Sequence, residues 1–515
     1  MKLSTLTCRK YLLVLVSIVS AASVAVGGDV LYPINRTVFG LDYDRLYRDA
    51  VLSGDIRQWP TTGPLLASRF VVGNGMTPFS PATSLFDTVT AGDLRLLWHL
   101  QETARARRQE SVLDLSLVTA GLRYDASPSV AAQALFSLDR EKAIDPNYSG
   151  KKWRGMAGSM ETAGIYYTTG GLQASLGRQR IFWGPRPVNL ILSATAEPLD
   201  LIRFDYRCGR LQFHFFMARL DHSRPDSVDY DRFPDYDFAH DNRYLVGHRI
   251  DIRLHSTFCL GLFETNVFGG IGRSPELYYL NPLQFFHSAQ LNQDMNDNTF
   301  LGCDAVWLPM PGLAMWGQWL IDDFQIDRHA QSDQEPDEIG LLFGTELLGR
   351  QKTLRPDVQL EYVRITNRTY NQLHARNRYL HQNQLLGHPL GPDSDSLSLR
   401  LRWWPAVDQL LTLEAAYTRH GHGNQDQSWT EPWMEIDGNY SESFPTGPVE
   451  TGWHLGLTYS GYVPITDYTR RHLFASVAAG AARRKVHDVI NTGSKDAWMD
   501  LSLAWIGGFD IGTDD

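Results

Sequence analysis

Long apolar runs are nearly missing from this chain. Tyr11 to Val26 is the main one, and it is too short for a comfortable membrane-spanning helix. That scarcity excludes a helical membrane protein. Lys2, Arg9 and Lys10 precede the run, and Ser23, Ala25 and Gly27 offer small residues for cleavage after Ala25 or after Gly27. The pattern predicts a signal peptide over residues 1–25. No cysteine closely follows it, which argues against a lipoprotein anchor. Cysteine is scarce throughout. Cys8 leaves with the leader, and Cys208, Cys259 and Cys303 are an odd number. That argues against a disulfide framework, so they read as small hydrophobes. No two lie at ligand spacing, so neither zinc nor any other metal or cofactor is expected. Gly-x-Ser-x-Gly, His-Glu-x-x-His and P-loop patterns are absent too, and the expectation is a protein that is not an enzyme. A basic excess is lacking: the formal net charge is −10. That argues against a nucleic-acid partner.

What the chain has instead is alternation. Ile202, Phe204, Tyr206 and Cys208 fall on one face of a strand, with Arg203, Asp205 and Arg207 on the other. Leu211 to Met217, Ile250 to Leu254, Leu397 to Trp403, Leu411 to Tyr417, Trp453 to Tyr459 and Met499 to Trp505 repeat the pattern. Period two gives one apolar and one polar face. A soluble sandwich would turn the apolar face inward. A transmembrane barrel would turn it to lipid and enclose the charges. Mean hydropathy of −0.28 reads as soluble, but that average is blind to barrels. Aromatics at 11% suit the interfacial girdles of a barrel. Tight connections at Cys208–Leu211 and Pro405–Gln409 contrast with long polar ones at Asp221–Asn242, Arg368–Asp395 and His420–Glu450. Short periplasmic turns and long outer loops are the barrel pattern.

The reading is therefore an all-β fold: a transmembrane antiparallel barrel of roughly 16–18 strands over residues 111–515. A small periplasmic helical module is expected over residues 26–110, with helices at Tyr43–Val51 and Asp93–Gln109. The chain ends Asp-Ile-Gly-Thr-Asp-Asp after Trp505 and Phe509. The barrel-assembly machinery is then expected to read an internal aromatic.

Four ordered blocks resemble the capsule assembly protein Wzi family. They are Gly177-Arg178-Gln179-Arg180-Ile181-Phe182-Trp183-Gly184-Pro185 with Asn189; Arg243-Tyr244-Leu245 with His248 to Ile252; Glu276-Leu277 through Asn281-Pro282; and Asp297-Asn298 with Gly302 and Asp304. The resemblance implies an outer-membrane barrel of about 18 strands. It implies a lectin-like protein holding capsular or exopolysaccharide at the cell surface. Expected surroundings are outer-membrane lipid and lipopolysaccharide, and a monomer is expected. A transport pore is the alternative.

Two sets of residues are candidates for glycan binding. The first is the polar-face ladder Arg203, Asp205, Arg207, Arg253, Arg400 and Arg402. The Arg fork fits carboxylates, but such a ladder also suits a structural salt-bridge network. The second is Trp429, Trp433 and Tyr440, aromatics in a polar loop that could stack on sugars or anchor the loop. Trp183-Gly184-Pro185 and Asn281-Pro282 read as structural turns. The aspartates between Asp226 and Asp241 read as a solvated loop rather than a Ca²⁺ site.

Overall fold

The computed structural model describes residues 37–63 and 94–511, apart from 108–109, 128, 146–147, 149, 294, 325–333, 350–354, 407–408, 430, 435–439, 465–471 and 487–492. The expected signal peptide lies outside the described residues. The alternating segments form one closed antiparallel barrel. Its wall strands in chain order are β1 (Leu94–Arg107), β2 (Glu110–Ser127), β3 (Val130–Asp139), β4 (Met156–Thr169), β5 (Leu172–Gln179), β6 (Leu199–Cys208), β7 (Leu211–Leu220), β8 (Asp241–His255) and β9 (Phe258–Ile271). The wall continues with β10 (Asn298–Met310), β11 (Leu313–Asp323), β12 (Glu338–Leu347), β13 (Asp357–Ile365), β14 (Ser394–Ala406), β15 (Gln409–His420), β16 (Glu450–Pro464), β17 (His472–Val486) and β18 (Gly493–Ile511). A two-residue strip, Lys152–Trp153, adds to the edge of β4.

β1 closes the barrel by pairing with both β2 and β18. This corrects one expectation. Within the expected helix Asp93–Gln109, Leu94–Arg107 is a strand, and the wall begins at Leu94, inside the expected helical module. The stretch carries both periods: Leu94, Leu96, Trp98 and Leu100 also alternate with Arg95, His99 and Gln101. Hydrogen bonds from two neighbouring strands settle it, which no local reading of propensity captures. A register shift between Gln101 and Glu102 further blurs the alternation.

Strand parity follows the alternation. In β6, Ile202, Phe204 and Tyr206 are exposed on the outside, while Arg203 and Asp205 are buried within. Leu397, Leu399, Leu455, Leu457, Met499 and Leu501 continue the exposed belt. Loop lengths also alternate: β6–β7, β8–β9 and β10–β11 join by tight turns, and the opposite end carries the long loops.

The lumen is filled by the chain itself. α1 (Thr37–Ser53) enters from the short-turn end and buries Leu46, Tyr47, Ala50 and Val51. Its Val51 carbonyl accepts from the Gly312 N–H in the β10–β11 turn. The segment 180–198 leaves the wall between β5 and β6 and meets α1 in one apolar cluster with Ile181, Trp183 and Leu190. Here Phe182 and Trp183 pair with Gly63 and Thr62. Gly184 has φ 152°, and a Cβ there would lie 2.8 Å from the Asn189 side chain. Only glycine fits. The Trp-Gly-Pro turn is thus a structural turn inside the barrel.

The β9–β10 loop folds onto the outer wall instead. Its helices α2 (Leu277–Leu280) and α3 (Phe286–Asn292) bury Tyr279 and Phe286 against Phe215, Met217, Val246 and Phe268. Outward-facing Glu264 accepts the Phe286 and His287 N–H groups at 2.9 and 2.8 Å. Asn281-Pro282 joins the two helices.

Candidate functional site

The Arg ladder does not form one surface. Arg203 pairs with Asp205 at 2.8 Å. His214 bridges Asp205 and Asp251, lying 3.2 Å from the latter. Arg249 binds Asp251 and Asp304, each at 2.6 Å. Arg402 binds Glu346, and also Asp44 of α1 at 2.5 Å. Arg400 faces Glu414 at 3.2 Å. Arg207 and Arg253 sit at the short-turn end, on Gln212 and the Gly209 carbonyl. Buried cations here meet buried carboxylates, as a low-dielectric interior demands. Arg186, next to the Trp-Gly-Pro turn, lies over Tyr47, Trp59 and Trp316 at 4.3, 5.6 and 5.0 Å. These contacts lock α1 and the inserted segment to the wall. Asp304 and Trp183 belong to this framework. Gly177 and Arg178 end β5, where the segment departs.

The second set gathers at the long-loop end. Two loops, 366–393 and 421–449, enclose a cavity of about 500 Å³ lined by Arg368, Asn371, Asn424, Trp429, Tyr440 and Glu442, among others. Trp429 lines it. Trp433 is buried behind, with ring centroids 5.5 Å apart. The Arg368 guanidinium lies over both rings, 5.4 Å from Trp429 and 4.6 Å from Trp433. Glu442 fixes it at 2.5 Å and accepts the Tyr440 hydroxyl at 2.6 Å. Burial and that carboxylate push the Tyr440 phenol up to about 12, so it stays a donor at neutral pH. Asn371 spans the two loops, donating to the Asn424 and Gln427 carbonyls at 2.7 Å each.

Backbone strain marks the same place. Arg368 and Tyr370 have φ 68° and 76°, which costs each about 1–2 kcal/mol. Tyr370 is held by its N–H to Asp322 at 2.7 Å and its hydroxyl to the Leu190 carbonyl at 2.6 Å. Two buried donors in the cavity wall, Trp429 Nε1 and Arg368 Nε, have no acceptor among the described residues. The aspartate-rich β7–β8 loop is not simply solvated. Asp226 and Asp229 form a reciprocal cap on the short helix Ser227–Arg232. Buried Asp229 binds Arg378 at 3.0 Å, and Asp226 accepts the Ser428 N–H at 2.7 Å. These ties brace the cavity from below.

Sequence reasoning found Trp429, Trp433 and Tyr440 but missed Arg368, Asn371 and Glu442. Arg368 and Glu442 meet only through long-range folding, and no local pattern signals that. Strained φ leaves no trace in sequence either, once the residue is not glycine.

Comparison with known proteins agrees with the barrel fold. The model of the family described as capsule assembly protein Wzi matches residues 118–478, well over half of the chain. No curated protein matches the sequence significantly. Among solved structures, the barrel is similar to Wzi of Escherichia coli, described as a carbohydrate-binding β-barrel of the outer membrane involved in group 1 capsule assembly. The two are 14% identical with a TM-score of 0.57, over 93% of this chain and 99% of that one. Pseudomonas aeruginosa OccD3 is 12% identical with a TM-score of 0.45, covering 82% of this chain and 94% of that one. OccK2 of the same organism, solved with glucuronate, is 10% identical with a TM-score of 0.45, covering 82% and 100%. Likeness at these identities shows the fold alone. Family and apolar-belted barrel together place the protein in the bacterial outer membrane. The chain, by its family match, belongs to the capsule assembly protein Wzi family.

Proposed function

We propose that the protein holds surface polysaccharide in the loop cavity around Trp429, aiding capsule or exopolysaccharide attachment without chemistry on the sugar. The observation that carries this is the composition of the wall. An indole, a phenol, a braced guanidinium and several amides converge on one outward cavity. Aromatic faces stack on pyranose rings, and fixed amide and guanidinium groups bond hydroxyls and carboxylates. Family membership and the capsule role given for the E. coli relative point the same way. Trp433 then supports the site from behind. Arg203, Asp205, Arg253, Arg400 and Arg402 serve mainly to stiffen the barrel. A transport pore is not favoured, because α1 and residues 180–198 occupy the lumen.

The test is titration of purified capsular polysaccharide against detergent-solubilised barrel. Trp429→Ala should weaken binding on the order of tenfold, the weight of one aromatic anchor. Arg203→Gln should leave affinity unchanged and lower unfolding temperature. A folded Trp429→Ala barrel that binds as wild type would refute the cavity as the site.

A further inference from the structure

The barrel wall has a notch at its upper rim. β4 pairs with β3 along Ala157–Thr162, but with β5 only from Ala163 downward, opposite Arg178. β5 stops at Gln179 and β6 starts at Leu199, because residues 180–198 turn into the lumen. From Gly158 to Thr162 one edge of β4 therefore has no strand beside it, between β5 below and the strip Lys152–Trp153 at Met156 and Ala157 above. Such edges present unpaired N–H and C=O groups, and proteins normally cover them. Here a side chain stands in for part of a strand: Arg178 Nε donates to the Met160 carbonyl at 3.0 Å, and its Nη1 holds Asp200 at 2.6 Å.

A cavity of about 640 Å³ occupies the notch. Its outer lip is Gly158, Met160, Arg178 and Asp200; its inner side includes Lys142, Glu197, Gln382 and Gln384. Arg178 and Asp200 share the outward face with Leu176 and Ile202, which are exposed one alternation lower. The notch thus sits just above the apolar belt, where acyl chains give way to headgroups. It runs from that level into the barrel mouth.

The lining chemistry is that of a hydroxyl binder. Lys142 pairs with Glu197 at 2.7 Å and Arg178 with Asp200 at 2.6 Å, so the fixed charges are compensated. Asp145 adds one more acid, and Gln382 and Gln384 present amides. A bare phosphate gains little here, whereas a sugar can meet alternating donors and acceptors. We propose that this notch is a second saccharide site, which takes the sugar head of an outer-leaflet glycolipid sideways from the membrane. It rests on the outer-membrane placement and not on the Trp429 cavity. The hairpin Leu380–Leu385 that bears its amides belongs to the loop that also carries Arg368 and Asn371.

The probe is rough lipopolysaccharide, which keeps its core sugars, added to phosphatidylethanolamine nanodiscs holding the full barrel. Gln382→Cys in a Cys208→Ser background reports access of a water-soluble maleimide. Rough lipopolysaccharide at about ten times its Kd should slow labelling roughly tenfold. Lipid A without core sugars should not, and Asn424→Cys in the other cavity should label equally in every disc. As a check that spares the cysteine, Lys142→Ala/Gln384→Ala should retain less rough lipopolysaccharide per barrel while keeping heat-modifiable gel mobility. Absence of protection at Gln382→Cys, equal protection by lipid A, or unchanged retention in the double variant each overturns the proposal. The Trp429 reading survives any of these, since its own test uses free polysaccharide.

Discussion

Arg402 is 1% exposed and forms ion pairs with Glu346 of β12 and Asp44 of α1. Arg402→Met should destabilise the barrel by about 3–5 kcal/mol, because it leaves buried Glu346 with the more distant Arg186, at 3.5 Å, as its compensating cation. Adding Glu346→Gln should recover much of that loss. Denaturant midpoints in detergent measure both, and a double variant no better than the single would show that packing rather than charge sets the cost. Lipid-facing positions make the opposite demand. Leu399 and Leu455 are exposed on the belt, so Arg at either should cost about 2–4 kcal/mol near the bilayer midplane. Ser398→Arg and His454→Arg on the inward face should be much milder. Alternation also marks Phe213 as lipid-facing, yet Phe213 packs partly beneath the β9–β10 loop. Parity tells which side of the wall a residue faces. It cannot tell what folds over that side.

Elements show the same division between local and non-local information. The outward and inward strands, the tight turns and the helix at Tyr43–Val51 were legible, because each depends on period and neighbours in sequence. β1 was not, because its identity depends on a partner about 400 residues away, at the other end of the chain. The loop 366–393 was legible only as long and polar, although it carries half of the candidate cavity. Its behaviour with pH follows from two histidines. Burial holds His388 down at about 4, and its Nδ1 accepts the Leu390 N–H at 3.2 Å. Burial, with Arg376 and Arg232 adding to it, likewise holds His374 at about 4, where it stacks on Phe233 at 4.4 Å. Both folded values lie below the ordinary 6.5. An opened loop therefore takes up protons that the closed loop refuses. The closed loop is fully favoured above pH ~6.5 and loses stability as pH falls toward ~4, by roughly 3 kcal/mol for His388 alone. Hydrogen-exchange protection factors at Thr369–Asn377, taken relative to intrinsic exchange at each pH, should fall as pH drops over that window in wild type and less so in His388→Gln. Protection that is flat from pH 7 to 4 would remove the histidines as the cause.

At the scale of the whole molecule, an eighteen-strand wall is wide enough to surround a water-filled channel. This one surrounds a hydrophobic core. Leu190, Ile191 and Leu192 are buried among Tyr47, Phe300 and Tyr370, and each such side chain contributes about 1.5–3 kcal/mol. The inserted segment is pinned by polar bonds as well: Gln318 accepts the Leu190 N–H at 2.7 Å, and Trp59 donates to the Pro185 carbonyl at 2.8 Å. Two independent pieces, α1 from one end and residues 180–198 from the side, obstruct the same lumen. Planar bilayers with the intact protein should therefore show no steady conductance. Deleting residues 37–59 should leave the inserted segment in place and give at most brief, noisy openings. Combining that deletion with a short Gly-Ser replacement of residues 186–194 should give stable channels, provided the barrel still shows heat-modifiable mobility. Steady ohmic current through the intact protein would contradict a packed lumen and return the transport reading to first place. Silence in a folded double variant would mean that the loops at the outer end seal the barrel on their own, with Tyr370 and Tyr379 as the residues to change next.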